Sequence, residues 1–130
     1  MLSADSRDFL ERRLVSRATQ LRQHIAELRA RREEGTLGEV TDRKDVAAAG
    51  AEAVVTDAEI ESDLAQLRDI RSARRRLQDG GYGSCVDCGE VIDTRRLLAE
   101  PQVLRCVSCQ QRAEHAERRA VSRGGHPRLA

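Results

Sequence analysis

LERRLVSRATQLRQHIAEL spans residues 10–28. Its apolar positions are Leu10, Leu14, Ala18, Leu21, Ile25 and Leu28, separated by steps of 4, 4, 3, 4 and 3. Steps alternating between three and four keep a narrow apolar stripe on one side of a helix. Arginines and glutamates occupy the other faces. Working outward, the pattern predicts one long helix from about Ser3 to Glu34. Ser3 can cap its start, and Asp5 and Asp8 suit the positive end of the helix dipole. Gly35 and Gly38 then interrupt the pattern.

Residues 35–50 read as an irregular connection. Thr56-Asp-Ala-Glu59 has the form of a capping box and places the start of a second helix at about Asp57, though the alanines before it can extend that helix backwards. Its seam is Ile60, Leu64, Leu67, Ile70 (or Arg71) and Leu77, and it stops at Asp79-Gly80-Gly81. Two helices with one narrow seam each, joined by a short connection, bury those seams on each other. The result is an antiparallel coiled-coil hairpin with arms of roughly 45 Å and 35 Å. Pairing of each helix with a second chain is the alternative.

The composition agrees. The chain has 130 residues, of which 35% are charged and 2% aromatic, with Phe9 and Tyr82 the only aromatics. Half the residues are Ala, Leu, Glu, Lys or Arg, which is coiled-coil composition. So few large apolar side chains exclude a thick core and argue against an enzyme with a deep pocket. A thin hairpin needs another staple. Net charge is +1, so overall charge points to neither nucleic acid nor membrane. No apolar run reaches transmembrane length and no secretion signal is visible, so a cytoplasmic location is expected.

Cys85-Val-Asp-Cys88 and Cys106-Val-Ser-Cys109 supply the staple. Paired cysteines separated by two residues turn both thiolates onto one ion, and two such pairs complete a tetrahedral site for one structural Zn2+. Gly89 follows the first pair, where a tight turn needs a small residue. A redox pair would normally open a helix in a βαβ setting, which is missing here. Catalytic zinc keeps a coordination position open, whereas four thiolates close the site. His115 could replace a ligand, but no cysteine is lacking. His24 and His126 read as surface residues. A short helix over about 107–121 closes the chain. The whole is mainly α: a coiled-coil hairpin over 1–80 with its tip at about 35–55, then the finger and C-terminal helix over 81–130.

Tyr82-Gly-x-Cys85-x2-Cys88-Gly-x2-Ile92-x3-Arg96-Leu97-x-Ala99-x-Pro101-x4-Cys106-x2-Cys109-Gln110 resembles the zinc finger of the DksA/TraR family. Asp42-Arg-Lys-Asp45-Val-Ala47 is similar to that family's D-x-x-D-x-A tip. The resemblance covers roughly residues 5–120. It implies a bacterial, non-enzymatic transcription regulator of the stringent-response type that binds RNA polymerase. The coiled coil would enter the secondary channel, with Asp42, Asp45 and Ala47 approaching the active site to modulate promoter open complexes. No DNA sequence would be read directly. The family's basic contacts to the alarmone ppGpp align with Asp69, Glu100 and Gln110, and an acid repels a polyphosphate, so ppGpp synergy is expected to be weak or absent, or to use other arginines such as Arg68, Arg71 or Arg96. The competing reading is a zinc-ribbon module that binds nucleic acid or another protein directly. A thiol sensor that loses zinc on oxidation is compatible with either.

Overall fold

A computed structural model describes residues 3–37 and 43–124. It is mainly helical: α1 (Ala4–Leu37), α2 (Arg43–Asp79), α3 (Thr94–Ala99) and α4 (Val107–Gly124). Among the described residues the only extended pairing is an isolated antiparallel bridge between Ser84 and Val91.

α1 and α2 pack side by side and run in opposite directions. Arg74 binds Glu11, His24 binds Asp63, and Arg32 binds Asp57, so partners on α2 descend as those on α1 rise. The predicted seam of α1 is buried throughout, from Leu10 to Leu28. At the base, Leu10, Leu14, Ala18 and Leu21 pack with Ile70, Ala73 and Leu77. Tyr82 and Leu104 lean on the same cluster and join the finger region to the hairpin.

Away from the base the buried Ile25 and Leu28 are joined by polar groups. Thr56 and Asp63 are buried on α2. His24 Nδ1 lies 2.5 Å from Asp63 Oδ2, and Arg17 donates to Gln66 Oε1 at 3.1 Å. His24 therefore sits at the edge of the interface, its side chain still 44% exposed while its ring reaches Asp63. Its signal was position: it precedes Ile25 and flanks the seam.

Ser3 caps α1 as predicted, its Oγ accepting from the Ser6 N–H at 3.1 Å. Two boundaries differ from the sequence reading. α1 continues through Gly35 to Leu37, since one glycine costs only about 1 kcal/mol in a helix. α2 begins at Arg43, so most of the stretch read as irregular is helical. Thr56 does not cap α2: it sits within it and donates to the Glu52 carbonyl at 2.9 Å. The alanines at 47–49, 51 and 53 carry the helix through this stretch by intrinsic propensity. α2 thus runs on past the Arg32–Asp57 pair by many more residues than α1 does. Its end is the expected glycine terminus. Gly80 has φ +90°, and Gly81 N–H returns to the Arg76 carbonyl at 3.0 Å.

Leu14 is fully buried, so Leu14→Ala removes contacts and leaves a cavity; a loss of about 3 kcal/mol is expected in urea unfolding of the zinc-loaded protein. Val54→Ala, at a position 70% exposed, should change stability by less than about 0.5 kcal/mol. His24→Ala should cost more than Arg32→Ala, because it leaves the buried Asp63 carboxylate without its ring partner. Equal losses for the two would mean that the His24 contact contributes no more than a surface ion pair.

Candidate metal centre

The chain leaves α2 through a backbone clamp. Arg76 donates through Nη2 to the carbonyls of Gly81 and Ser84, each at 2.7 Å. This guanidinium fixes the entry to the first cysteine pair. Ile92 N–H bonds the Gly83 carbonyl at 2.8 Å and Cys85 N–H bonds the Glu90 carbonyl at 2.8 Å, folding 83–92 back on itself. Gly89 sits at φ +78° and donates to the Cys85 carbonyl at 2.9 Å, which turns Cys88 toward Cys85. A side chain at Gly89 would be strained by this conformation, the physical basis for the glycine after the first cysteine pair.

Asp93 then caps α3, accepting from the Arg95 N–H at 2.8 Å. This short helix was not foreseen, although Asp93-Thr94 before two arginines carries a cap signal. Val86 N–H reaches across to the Leu104 carbonyl at 2.8 Å, and Arg105 Nε binds Asp87 at 2.6 Å. These links hold the second cysteine pair opposite the first. Cys106 and Cys109 enter the first turn of α4, where Gln110 N–H bonds the Cys106 carbonyl at 2.9 Å.

The four sulfurs of Cys85, Cys88, Cys106 and Cys109 lie within 4.8 Å of one another. Cys88 and Cys106 sulfurs are 3.9 Å apart, too far for a disulfide and close to the edge of roughly 3.8 Å that a tetrahedron with ~2.3 Å Zn–S bonds requires. Cys85 and Cys109 are buried with Ile92, against which Leu97 and Val103 pack. Soft thiolates closing a tetrahedron suit one structural Zn2+. His115 lies outside this cluster, on an exposed part of α4.

Electrostatics explain why a cation belongs here. The backbone N–H of Cys88 stabilises the Cys85 thiolate and lowers its pKa to about 6, while Cys109, beside the Cys106 sulfur and shielded from water, is pushed up to about 12. Four thiolates this close repel one another unless a divalent ion neutralises them.

Of the predicted tip residues, Asp45 and Ala47 lie exposed in the first turns of α2, and Asp42 lies outside the described residues. Asp69 is half-buried on α2; burial raises its carboxyl pKa while Arg105 and Arg68 pull it down. The finger also touches α1 directly, as Arg13 donates to the Leu98 carbonyl.

Residues 80–115 match the prokaryotic dksA/traR C4-type zinc finger. A 52-residue stretch is 45% identical to the RNA polymerase-binding transcription factor DksA of Caulobacter vibrioides, covering 40% of this chain and 37% of that protein. An uncharacterized protein of Aquifex aeolicus is 38% identical over 52 residues, covering 40% of this chain and 36% of that protein. The matches thus span less than half the length of these curated relatives. The fold resembles transcription factor DksA2 from Pseudomonas aeruginosa with a TM-score of 0.70 and 27% identity, over 89% of this chain and 88% of that one. The chain is DksA-like, carrying a C4-type zinc finger beside a long helical hairpin.

Zinc must displace the Cys88 and Cys109 protons at neutral pH, and below about pH 6 it must displace the Cys85 proton as well. Zinc affinity should therefore rise with pH and fall steeply below about 6. Competition with a chromogenic chelator across pH 5.5–8 measures this. A pH-independent affinity would show that the thiols do not carry these protons.

Proposed function

We propose that this protein is an RNA polymerase-binding transcription regulator. Its helical hairpin enters the polymerase secondary channel and modulates promoter open complexes. The observation that carries this reading is the pairing of a DksA-type finger with a hairpin whose far end is the amino-terminal part of α2. Asp45 and Ala47 ride on that projecting part, and Asp42 precedes it in the sequence. A narrow rod can pass where a globular domain cannot. A carboxylate delivered to a confined, partly dewatered site exerts a stronger field than it would in open solvent. Ala47 leaves room for close approach. The finger acts as the base that fixes the hairpin, and the protein works by contact instead of catalysis, in the cytoplasm.

Direct reading of a DNA sequence is not part of this function. In the finger, Arg105 is engaged by Asp87, and Glu90, Asp93 and Glu100 oppose the remaining arginines. A ppGpp contact at Asp69, Glu100 and Gln110 is disfavoured by the two carboxylates, and the proximity of Arg105 to Asp69 further ties up local positive charge.

In vitro transcription from a ribosomal-type promoter tests the proposal. The wild type should change output, and Asp42→Asn/Asp45→Asn should bind polymerase while losing at least tenfold of the effect. Adding ppGpp should give no gain, and Asp69→Lys should be needed to obtain one. Failure of the wild type to bind polymerase would sink the channel reading; an active double variant would remove the tip from it.

A further inference from the structure

α4 leaves the metal centre with its backbone close to no other helix among the described residues. Successive residues of a helix are set 100° apart, so Arg112, His115 and Arg119 share one narrow arc and Arg118 lies on its flank. All four are exposed. The positions of Ser108, Gln111 and Ser122 fall between them, Glu114 borders Arg118, and Glu117 and Val121 lie on the other side. Among the described residues, Arg112, Arg118 and Arg119 make no ion pair or side-chain hydrogen bond. Glu114 is instead taken by Gln110 at 3.1 Å. The sequence beyond Glu117 adds Arg123 and Arg128 and no acid. A chain of net charge +1 has thus sorted a group of cations onto one free helix face.

We propose that this face of α4 binds the phosphate backbone of duplex DNA, without reading sequence. Three features select this partner. Protein interfaces set their arginines among apolar or aromatic residues at the centre, whereas this arc has neither and is polar and cationic throughout. Binding of unpaired strands relies on aromatic stacking, and α4 has no aromatic residue. The guanidinium groups of Arg112, Arg118 and Arg119 span about 10 Å along one helix side and can meet neighbouring phosphates of a rod-like polyanion. The face is remote in sequence from Asp42 and Asp45, so it would add affinity for a DNA-bearing complex without taking part in the action of the tip.

Fluorescence anisotropy with the full-length, zinc-loaded protein and two labelled 25-base-pair duplexes of unrelated sequence tests this. Binding should be equal for both duplexes and weaken steeply from 50 to 200 mM salt. Each phosphate contact contributes about −0.9 to the slope of log affinity against log salt. Arg112→Gln/Arg118→Gln/Arg119→Gln should therefore flatten that slope by about two to three and lower affinity at 50 mM salt at least tenfold. Unchanged helicity and zinc content show that the variant is folded. An unaltered slope, or tighter binding to oligo-dT than to duplex, overturns the proposal. So does a variant that keeps DNA affinity but loses polymerase binding, which would make the arc a protein contact. Tip activity is read separately by the Asp42→Asn/Asp45→Asn comparison.

Discussion

The packing of Leu10, Leu14, Ala18 and Leu21 against Ile70, Ala73 and Leu77 is the contact on which the rest of the molecule depends. Burial of apolar surface is the main favourable term in folding, and a two-helix rod has little of it to offer. Here it is concentrated at one end. The same cluster receives Tyr82 and Leu104 from the finger, and Tyr82 also donates to the Pro101 carbonyl at 2.9 Å. Hairpin and finger are therefore not two units on a tether. Each completes the other's thin core, and the clamp from Arg76 to Gly81 and Ser84 holds the join.

The remainder of the hairpin combines both kinds of contact. From His24 outward, Ile25 and Leu28 keep the seam buried while the His24–Asp63 and Arg32–Asp57 pairs flank it. Such pairs add little net stability when exposed, but they are strict about geometry. Asp63 in particular is buried and needs a donor opposite it, which penalises any slip of one helix along the other. Apolar packing along the seam holds the hairpin closed, while the polar pairs beside it, from Arg74–Glu11 to Arg32–Asp57, specify how it closes. Val54 and Val55 are exposed on the face of α2 turned away from the seam, and Val46 lies further out, where α2 has run past the end of α1.

Much of this was legible in the sequence because the signals were periodic or chemical. The α1 seam from Leu10 to Leu28 announced a helix with one partner face, and the two cysteine pairs announced one closed tetrahedral site. What escaped was decided by competition between weak local preferences. Thr56 satisfies the sequence form of a cap, yet the alanine run upstream continues the helix and turns its hydroxyl back to Glu52. Gly35 has the look of a stop but lies two residues too early. His24 and Asp63 are 39 residues apart, and only the register of the folded hairpin brings them together. α3 was missed because six residues are too few to show a period.

The antiparallel register carries a consequence for how such a molecule can vary over evolutionary time. Its seam repeats about every seven residues, and each pairing across the interface joins one position on α1 to one on α2. Deleting two residues from one arm alone would rotate everything beyond the cut by about 200° and strand its apolar face in water. Viable changes in reach therefore come as matched blocks of about seven residues removed from, or added to, both arms together, each worth about 10 Å. Rod length is thus a quantised trait, while the finger, which meets the hairpin only at its base, is free to stay the same.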